Sequence, residues 1–543
     1  MTQITTSLGN SRQAVDRALA DMAQTHILRR IWDKDHTVWK PASTEITNRL
    51  GWLDIAAKME RQLPALKRLA EKALGDGFED VVLLGMGGSS LAPHVFSRTF
   101  PTSGLKLAVL DSTSPEAVLA CARSHDLAHT LFIVATKSGS TAETLSFFKF
   151  FYNHVLEITG AERAGEHFIA ITDPGSKLAA LAVRLGFRDT LLNDPDIGGR
   201  YSVLSYFGLV PAALMGIDVA LLVDRALDMV DACGPDIATI GNPAAQLGAA
   251  MGELALNGRD KITFALSPGI ASFGDWVEQL IAESLGKDNK GILPVVGEDI
   301  GPPEVYGADR FFAYLRLEGD TTYDGRIQTL ESAGHPVIRL SLRDTYDLGQ
   351  QFFLWELATA VAAERLAVNP FDQPNVEAAK VLARKMIGEY TDTGELPASP
   401  ALPPSPERLH NFLAAARPGD YIAIQVYLPP GLETDSALKT LRLQLRDRYR
   451  LATTVGYGPR FLHSTGQLHK GDAGNGLFIQ LIVDTGADVP IPDEAGADES
   501  AISFGVLIKA QALGDWQALR DAGRRVVRFD LGTDVADGLA ALL

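Results

Sequence analysis

Two series of short apolar runs alternate with helical patterns, and this rhythm limits the possible folds more than any other feature of the chain. The first series consists of EDVVLLGMGGSS (79–90), LKLAVLD (105–111), TLFIVATKSGS (130–140) and EHFIAITD (166–173). The second consists of KITFALSP (261–268), GILPVVG (291–297), FFAYLRL (311–317) and HPVIRLSL (335–342). Because strands buried on both faces are apolar throughout, each series predicts a doubly wound, mostly parallel sheet covered by helices.

The predicted fold class is α/β, with two large units of similar plan and a third, smaller α/β unit near the C-terminus. In the third unit, apolar runs predict strands at 421–428, 476–484, 504–510 and 524–531. The divisions that we predict are a helical N-terminal segment (1–75), a first α/β unit (76–202), a helical connection (203–258), a second α/β unit (259–392), a proline-rich linker (393–408) and the C-terminal domain (409–543).

Charge and cysteine content exclude several classes of partner. A formal net charge of −17 gives no basic surface for nucleic acid or for an anionic membrane. The chain has neither an apolar signal core nor an apolar run of about 18 residues, so we expect no membrane span. Two distant cysteines indicate a reducing compartment, and a cytoplasmic protein is expected. Because no cluster of His, Cys, Asp or Glu has metal-ligand spacing, neither a metal nor a cofactor is predicted.

The stretch GMGGSSLAP (85–93) predicts an anion site where a strand turns directly into a helix. Gly87 and Gly88 allow close approach of the backbone, and Ser89 adds a hydroxyl donor. A dinucleotide site is an alternative, with Asp111 as the ribose contact, although Ser90 stands where the third glycine of that pattern belongs. A tight packing turn without a ligand is a further alternative.

The stretch ATKSGSTAETL (135–145) predicts a second anion site in the same sheet. Helix capping accounts for one or two of its hydroxyl groups, but not for four hydroxyls beside a lysine. Thr136, Lys137, Ser138 and Thr141 are therefore candidate phosphate ligands. Two such strand ends in one sheet predict a sugar phosphate as the small-molecule partner, with one anionic end and several hydroxyls.

Five motifs resemble those of the glucose-6-phosphate isomerase family. Two of them are GMGGSSLAP and TKSGSTAET, described above. The other three are DIGGRYSVLSYFGL (196–209), WVEQLIAESLGKDNKGILP (276–294) and NPFDQPNVEAAK (369–380), and all five stand in the family's order. The resemblance implies two sugar-isomerase (SIS) domains and a homodimer. Residues 1–60 and 410–543 resemble the isomerase half of bacterial transaldolase–isomerase fusions, and since no transaldolase-length segment precedes residue 80, we expect the isomerase half alone.

The resemblance also implies an activity and a set of roles. The activity is the interconversion of glucose 6-phosphate and fructose 6-phosphate through a cis-enediolate, in glycolysis and gluconeogenesis. By resemblance, Glu283 is the base that transfers the proton, and Arg200, after two glycines, stabilises the oxyanion. Lys380 handles protons at the ring oxygen or at O1 and O5. Gln373 holds the phosphate, and Glu143 makes a supporting or sugar-side contact.

One expected catalytic group is missing from its usual place. Members of the family have a ring-opening histidine, in a segment of the type L-H-S-x-G-Q, soon after the motif that contains Glu283, and a neighbouring subunit contributes it. Residues 284–334 contain no histidine, and His335 opens an apparent strand. Residues 456–471 show no helical or alternating period, so we predict a loop there. Within this stretch, the segment FLHSTGQLHKG (461–471) reproduces the pattern. We therefore predict that His463 completes the site, from its own chain or across a dimer, and that His469 and Lys470 are supporting or surface residues.

Two other functions are compatible with these motifs. One is a dual phosphoglucose/phosphomannose isomerase, although Lys137 favours the single-substrate type. The other is a non-catalytic sugar-phosphate sensor. Because a binding protein has no use for a base, the presence of Glu283, Arg200 and Lys380 argues against the sensor.

Overall fold

The computed structural model of the chain describes residues 3–398, 400–483, 486 and 488–542. Within these ranges the strands form two five-stranded sheets, one four-stranded sheet and one two-stranded ribbon. The predicted α/β class with mostly parallel sheets is confirmed. Parts of four predictions lie outside the described residues: residues 1 and 2 of the N-terminal segment, Ser399 of the linker, Asp484 at the end of one predicted strand, and residues 484, 485, 487 and 543 of the C-terminal domain.

The N-terminal segment is helical except for its first strand. It contains β1 (Gln3–Ser7), α1 (Arg12–Gln24), α2 (Ile27–Trp32), α3 (Ile55–Glu60) and α4 (Leu63–Gly75). The sequence did not predict β1, because QITTS is polar and too short to show a pattern. It lies antiparallel to a strand of the second large sheet and forms an edge of that sheet.

The first large sheet is parallel throughout, in the order β3-β2-β4-β5-β6. Its elements are β2 (Asp80–Gly85), α5 (Leu91–Thr99), β3 (Lys106–Leu110), α6 (Pro115–Ser124), β4 (Thr130–Ala135), α7 (Ala142–Thr159), β5 (Phe168–Thr172), α8 (Lys177–Arg184) and β6 (Asp189–Leu192). Every residue of β4 is buried, as expected for a strand covered on both faces. The short edge strand β6 is only partly buried, which explains why the sequence did not predict it.

The second large sheet has the order β1-β10-β9-β7-β8, and only β1 is antiparallel to its neighbour. Three helices connect the two large units: α9 (Tyr206–Leu214), α10 (Val219–Ala232) and α11 (Pro243–Leu256). The elements of the second unit are β7 (Lys261–Leu266), α12 (Phe273–Leu285), β8 (Leu293–Val295), β9 (Arg310–Leu317), α13 (Asp324–Ser332), β10 (Val337–Leu342), α14 (Leu348–Leu366) and α15 (Val376–Thr393). Helix α14 is buried on nearly every side, and one continuous hydrophobic core joins the N-terminal helices to both large sheets.

The C-terminal domain is a four-stranded parallel sheet in the order β12-β11-β13-β16. Its elements are α16 (Pro406–Leu413), β11 (Tyr421–Tyr427), α17 (Leu432–Tyr449), β12 (Ala452–Tyr457), α18 (Gly466–Gly471), β13 (Gly476–Ile482), β14 (Pro490–Ile491), β15 (Ile502–Ser503), α19 (Phe504–Asp521), β16 (Arg525–Asp530) and α20 (Val535–Ala540). The proline-rich linker runs beside β16, where Leu402 exchanges backbone hydrogen bonds with Arg528 and Asp530.

Two predictions for this domain are wrong. Residues 504–510, predicted as a strand, form the first part of α19, whose start is capped when the Ser503 hydroxyl accepts from the Val506 N–H. The segment is almost uniformly apolar because this end of the helix is buried on several sides, which hides the helical period. Residues 456–471, predicted as a loop, include the end of β12, a 3₁₀ turn at Arg460–His463 and the short helix α18.

The C-terminal domain packs on both large units. Phe504 and Leu507 of α19 join the hydrophobic cluster that covers one face of the first large sheet. On the other side, Tyr421 and Leu468 pack against Ala282 of α12 and against β8. The domain therefore bridges the two units, and its loops reach the groove between them. None of the described helices is long and apolar enough to cross a membrane.

Candidate active site

A cavity of about 370 Å³, hereafter the central cavity, lies where the first large sheet, α15 and the C-terminal domain meet. Five residues predicted from the sequence line it: Ser138, Thr141, Glu143, Lys380 and His463. The loop after β4 supplies the two hydroxyls, and α7 begins directly behind them. Hydroxyls and a helix N-terminus therefore face a cationic lysine across one cavity, an arrangement that suits an anionic ligand.

His463 is held by a carboxylate from the first large unit. Its Nε2 lies 3.0 Å from Oε1 of Glu143, and the same oxygen accepts a hydrogen bond of 2.7 Å from Nε2 of Gln511. Burial tends to raise the pKa of Glu143, but the neighbouring His463 and, less strongly, Lys380 outweigh burial and hold that pKa below its usual value. The carboxylate thus stays ionised and fixes the orientation of the imidazole.

Gln279 of α12 joins this pair to the predicted base. Its Nε2 donates to Oε2 of Glu283 at 2.9 Å and to the backbone carbonyl of His463 at 2.7 Å. Gly87, with φ of +53°, approaches the same point, and a Cβ atom there would lie 2.8 Å from the carbonyl oxygen of His463. The His463 segment therefore packs on both large units of the same chain.

Arg200 and Glu283 form a buried ion pair, with 3.2 Å between Nη1 and Oε1, and neither residue is among those that line the central cavity. The Arg200 guanidinium also donates to Ser284 Oγ at 2.8 Å. Its Nη2 donates to the carbonyls of Pro370 and Asp372, and Oε1 of Gln373 accepts from Nη1 at 3.4 Å. These hydrogen bonds fix the guanidinium group of Arg200 before any ligand binds. The group can therefore stabilise a developing negative charge without first changing its own position.

Lys287 belongs to the same cluster, although it was not among the predicted site residues. Its Nζ donates to the carbonyl of Asp372 at 2.5 Å and to Oδ1 of that residue at 2.8 Å. Burial, reinforced by the charge of Arg200, lowers the pKa of Lys287 to about 8, although Asp372 opposes this shift. Lys287 and Arg200 together fix the backbone of the segment that contains Gln373.

The structure does not bring Lys137 into the central cavity. Its ammonium is paired with Asp173, at the end of β5, and donates to the carbonyl of Pro195 at 2.8 Å. Ser138, Ser140 and Thr141 stay at the cavity, and Ser138 and Ser140 share a hydrogen bond of 2.8 Å. Thr136 is buried behind them, does not line the cavity, and shares a hydrogen bond of 2.8 Å with Thr141. Local pairing with a carboxylate thus directs the lysine away from the place that its position in the motif suggested.

The glycine turn after β2 is covered by protein. A Cβ atom on Gly88 would lie 2.1 Å from the carbonyl oxygen of Gly199, so the turn admits the backbone next to Arg200. Ser89 is half-buried in the same turn. Asp111, the alternative ribose contact, instead accepts a hydrogen bond of 2.7 Å from Nε of Arg460. Close packing against the backbones of Gly199 and His463 therefore accounts for the glycines at positions 88 and 87.

The two residues beside His463 in the motif are buried supports. Lys470 lines the central cavity and pairs with Asp515, with 2.5 Å between Nζ and Oδ1. Burial lowers the pKa of His469 well below its usual value, so that ring stays neutral. In the part of the chain that the structure describes, no three His, Cys, Asp or Glu side chains are placed to hold a metal ion.

Three contributors to the site were absent from the prediction. Gln279 and Lys287 stand inside the quoted motif WVEQLIAESLGKDNKGILP, so the signal was present, but amides and lysines on helices are usually solvated. Gln511 offered no signal at all, because it directly follows the predicted strand at 504–510 and contacts Glu143 only through the tertiary fold.

Comparisons with known proteins find chains that are similar to this one. The family model described as phosphoglucose isomerase matches residues 57–287. A glucose-6-phosphate isomerase of Thermus thermophilus is 31% identical over 388 residues, which cover 62% of this chain and 90% of that protein. The glucose-6-phosphate isomerase of Rubrobacter xylanophilus is 31% identical over 386 residues, which cover 61% and 88%.

A solved structure gives the corresponding fold. The crystal structure of a hypothetical protein from Thermus thermophilus is similar to this chain with a TM-score of 0.62 and 26% sequence identity, covering 71% of this chain and 99% of that chain. The similarity therefore includes nearly the whole of that protein.

Proposed function

This chain belongs to the glucose-6-phosphate isomerase family and interconverts glucose 6-phosphate and fructose 6-phosphate, and from this premise we propose how its own residues divide the reaction. The substrate's phosphate binds to the hydroxyls of Ser138, Ser140 and Thr141 at the N-terminus of α7. The free N–H groups of this helix end and the Lys380 ammonium across the cavity favour a dianion there. Gln373, Lys137 and the turn with Ser89 remain proposed contacts from the resemblance.

Ring opening is the task of His463. An imidazole titrates near neutral pH, so it can donate a proton to the ring oxygen and accept the proton of the O1 hydroxyl. Glu143 supports this role because it orients Nε2 and stabilises the imidazolium. Lys380 assists at O1 and O5. The bond between Glu143 and His463 lies within one chain, which supports a histidine that acts in its own subunit.

Proton transfer is the task of Glu283. Its carboxylate takes the proton from C2 of the open-chain aldose, and the electron pair forms the enediolate with negative charge on O1. Glu283 then delivers the proton to C1, while the proton of the O2 hydroxyl is transferred to O1, so that C2–O2 becomes the ketone and O1 the hydroxyl. Arg200 stabilises the enediolate oxygen, and the ion pair of 3.2 Å with Glu283 is the observation that carries this assignment.

The test is a Glu283→Gln variant. We expect kcat to fall by roughly 10²–10⁴-fold, the usual contribution of a general base, while fructose 6-phosphate still binds within a few-fold of the wild-type Kd. Glu304→Gln, at an exposed carboxylate, is the matched control and should leave kcat unchanged. Full activity in Glu283→Gln would remove Glu283 from its role as base, and loss of binding alone would make it a structural residue.

A homodimer and a cytoplasmic location are also part of the proposal. The homodimer rests on the resemblance to the family. The location is supported by Cys121 and Cys233, which are both unpaired and suit a reducing compartment.

A further inference from the structure

We propose that the segment directly after β3, residues 111–113, positions His463 and Glu143 for ring opening. Asp111 holds the turn that contains His463, and Thr113 holds the glutamine that donates to Glu143. Both are positioning residues, since neither lines the central cavity. The inference rests on the role proposed above for His463 and extends it to side chains outside that cavity.

The turn that contains His463 begins with an arginine that is bound to Asp111. Arg460 is the first residue of the 3₁₀ turn Arg460–His463, and its Nε donates to Oδ2 of Asp111 at 2.7 Å. Ser90 Oγ, in the glycine turn after β2, lies 3.3 Å from the same oxygen. The exposed fractions of the two side chains are 28% for Arg460 and 12% for Asp111, so solvent and salt screen the pair only partly. This ion pair therefore attaches the turn to the end of β3.

A second contact of the segment holds the carboxylate that faces His463. Oε1 of Glu143 accepts from Nε2 of Gln511 at 2.7 Å and lies 3.0 Å from Nε2 of His463. The Thr113 hydroxyl donates to Oε1 of Gln511 at 2.8 Å. Thr113 and Gln511 are both buried. A continuous chain of buried hydrogen bonds therefore runs from the end of β3 through α19 to the imidazole.

The Thr113 hydroxyl matches the orientation that Glu143 imposes on the Gln511 amide. Glu143 is ionised, because its pKa lies below the usual value, and an ionised carboxylate only accepts hydrogen bonds. The amide nitrogen of Gln511 must then face Glu143, which leaves the amide oxygen facing Thr113. A hydroxyl can donate to that oxygen and a methyl group cannot. Without the donor, a buried acceptor is left unpaired, and Gln511 is no longer held from both ends.

The two contacts act on opposite sides of one catalytic contact. Asp111 sets the turn of His463 through Arg460, and Thr113 sets Glu143 through Gln511. Because Asp111 and Thr113 stand two residues apart after one strand, the end of β3 sets the positions of both groups. A misplacement of about 1 Å in a reacting group can lower a rate about 100-fold, so these distant bonds should matter for kcat.

A purely structural attachment of the C-terminal domain is the alternative, and the chain offers a matched comparison. Asp420 and Arg525 form an ion pair with exposed fractions of 8% and 30%, close to those of Asp111 and Arg460. This pair joins the starts of β11 and β16. In a parallel sheet these starts lie at the edge opposite to the turn after β12. Removing the pair therefore disturbs the same domain at the far edge from His463.

The first test compares the two ion pairs by steady-state kinetics with glucose 6-phosphate. We expect Asp111→Asn to lower kcat about tenfold or more, with KM within twofold of wild type. Arg460→Gln breaks the same bond from the other side and should give the same loss, which keeps the test valid if Asp111→Asn folds poorly. Asp420→Asn should keep the wild-type kcat. A fall in Asp420→Asn as large as that in Asp111→Asn would make the loss structural and overturn the positioning role.

Two substitutions at Thr113 separate the hydroxyl from the shape of the side chain. Thr113→Val keeps the size and loses the donor, so kcat should fall at least threefold. Thr113→Ser keeps the donor and should restore kcat to within about twofold of wild type. A side chain that only fills space would show the reverse order, since serine leaves a gap where the methyl group packed.

The His463→Asn variant supplies the background that separates this inference from the proposed function. If the segment acts through His463, Asp111→Asn and Thr113→Val should cause no further fall in kcat in that background, because substitutions that act through one group are not additive. Wild-type kcat in Asp111→Asn or in Thr113→Val, or an equal fall with and without His463, would overturn the positioning role and leave that of His463 standing. Full activity of the His463→Asn variant itself would instead refute the proposed role of His463.

Discussion

His463 connects two carboxylates to which we assign different roles in the proposed reaction. Its ring contacts Glu143, while its backbone carbonyl is tied through Gln279 to Glu283. A change in the side chain can therefore remove acid–base chemistry without releasing the backbone that supports the base. This separation makes a conservative substitution at this residue informative.

We predict that His463→Asn lowers kcat/KM for glucose 6-phosphate by about 10²–10³-fold, because one positioned acid–base group contributes in that range. Steady-state kinetics on the closed-ring substrate measures the effect. His410→Asn is the matched control, since His410 is an exposed histidine of the same domain, and it should keep the wild-type rate. A His463→Asn enzyme with an unchanged rate would contradict the role in ring opening.

The lowered pKa of Lys287 predicts that kcat depends on pH. Its pKa of about 8 lies below that of a lysine in the unfolded chain, at about 10.4. As pH rises through about 8, the ammonium that holds Asp372 loses its charge, and we expect kcat to fall. Over the same window the unfolded chain binds more protons at this lysine, so the contribution of Lys287 to the free energy of unfolding rises with pH.

Activity and this contribution to stability therefore change in opposite directions above about pH 8, so the titration of Lys287 cannot lower activity by unfolding the chain. A guanidinium stays charged at these pH values, so Lys287→Arg should lose this alkaline limb of the pH–rate profile. Lys290→Arg, an exposed neighbour that donates to the Leu366 carbonyl, should keep the limb. An identical limb in Lys287→Arg and wild type would assign the titration to another group.

At the scale of elements, the glycine turn after β2 sets how closely the Arg200 segment can approach the first sheet. A side chain at Gly88 would collide with the Gly199 carbonyl, whereas a Cβ atom on Gly199 itself meets nothing within 4 Å. The two glycines are neighbours in space, but there is room for a side chain at Gly199 and none at Gly88.

We predict that Gly88→Ala lowers the free energy of unfolding by about 1–3 kcal/mol, the usual cost of overpacking. Because the displaced segment contains Arg200, kcat/KM should also fall, by about tenfold or more. Gly199→Ala is the matched control and should stay within a few-fold of wild type in both thermal unfolding and kinetics. Equal effects in the two variants would mean that flexibility, and not close approach, is required at this turn.

Elements with strong local signals could be predicted from the sequence. Buried parallel strands such as β4 are apolar throughout, and the predicted runs of both large sheets are strands in the structure. The prediction failed where tertiary burial hides the period, as in α19, and where edge strands are short or polar, as in β1 and β6. An edge strand buries little, so its sequence is weakly constrained.

The same limit applies to the site. Five predicted residues do meet in one cavity, because each is placed by a motif or by the end of a strand: Ser138, Thr141, Glu143, Lys380 and His463. The direction of Lys137 depends on Asp173, a partner that no motif contains. Gln511 depends on how the C-terminal domain packs, which residue spacing does not encode.

In the molecule as a whole, the C-terminal domain adds His463 to a candidate site whose other residues come mainly from the two large α/β units. Helices α15 and α19 pack together, so the helix that presents Lys380 rests on the domain that presents His463. Glu283, Glu143 and His463 all come from one chain in this arrangement. Catalysis should then be possible within each subunit, whatever the oligomeric state.

Mixing two inactive chains tests this arrangement. Glu283→Gln supplies an intact histidine, and His463→Asn supplies an intact base. If histidine and base came from different subunits, a randomly mixed homodimer would regain about a quarter of wild-type activity, because half of the dimers would contain one intact site of two. If both groups act in one chain, every site in the mixture keeps one defect. We therefore predict that co-expressed or co-refolded variants show no activity above the sum of the separate variants, and recovery toward a quarter would place His463 in the partner's site.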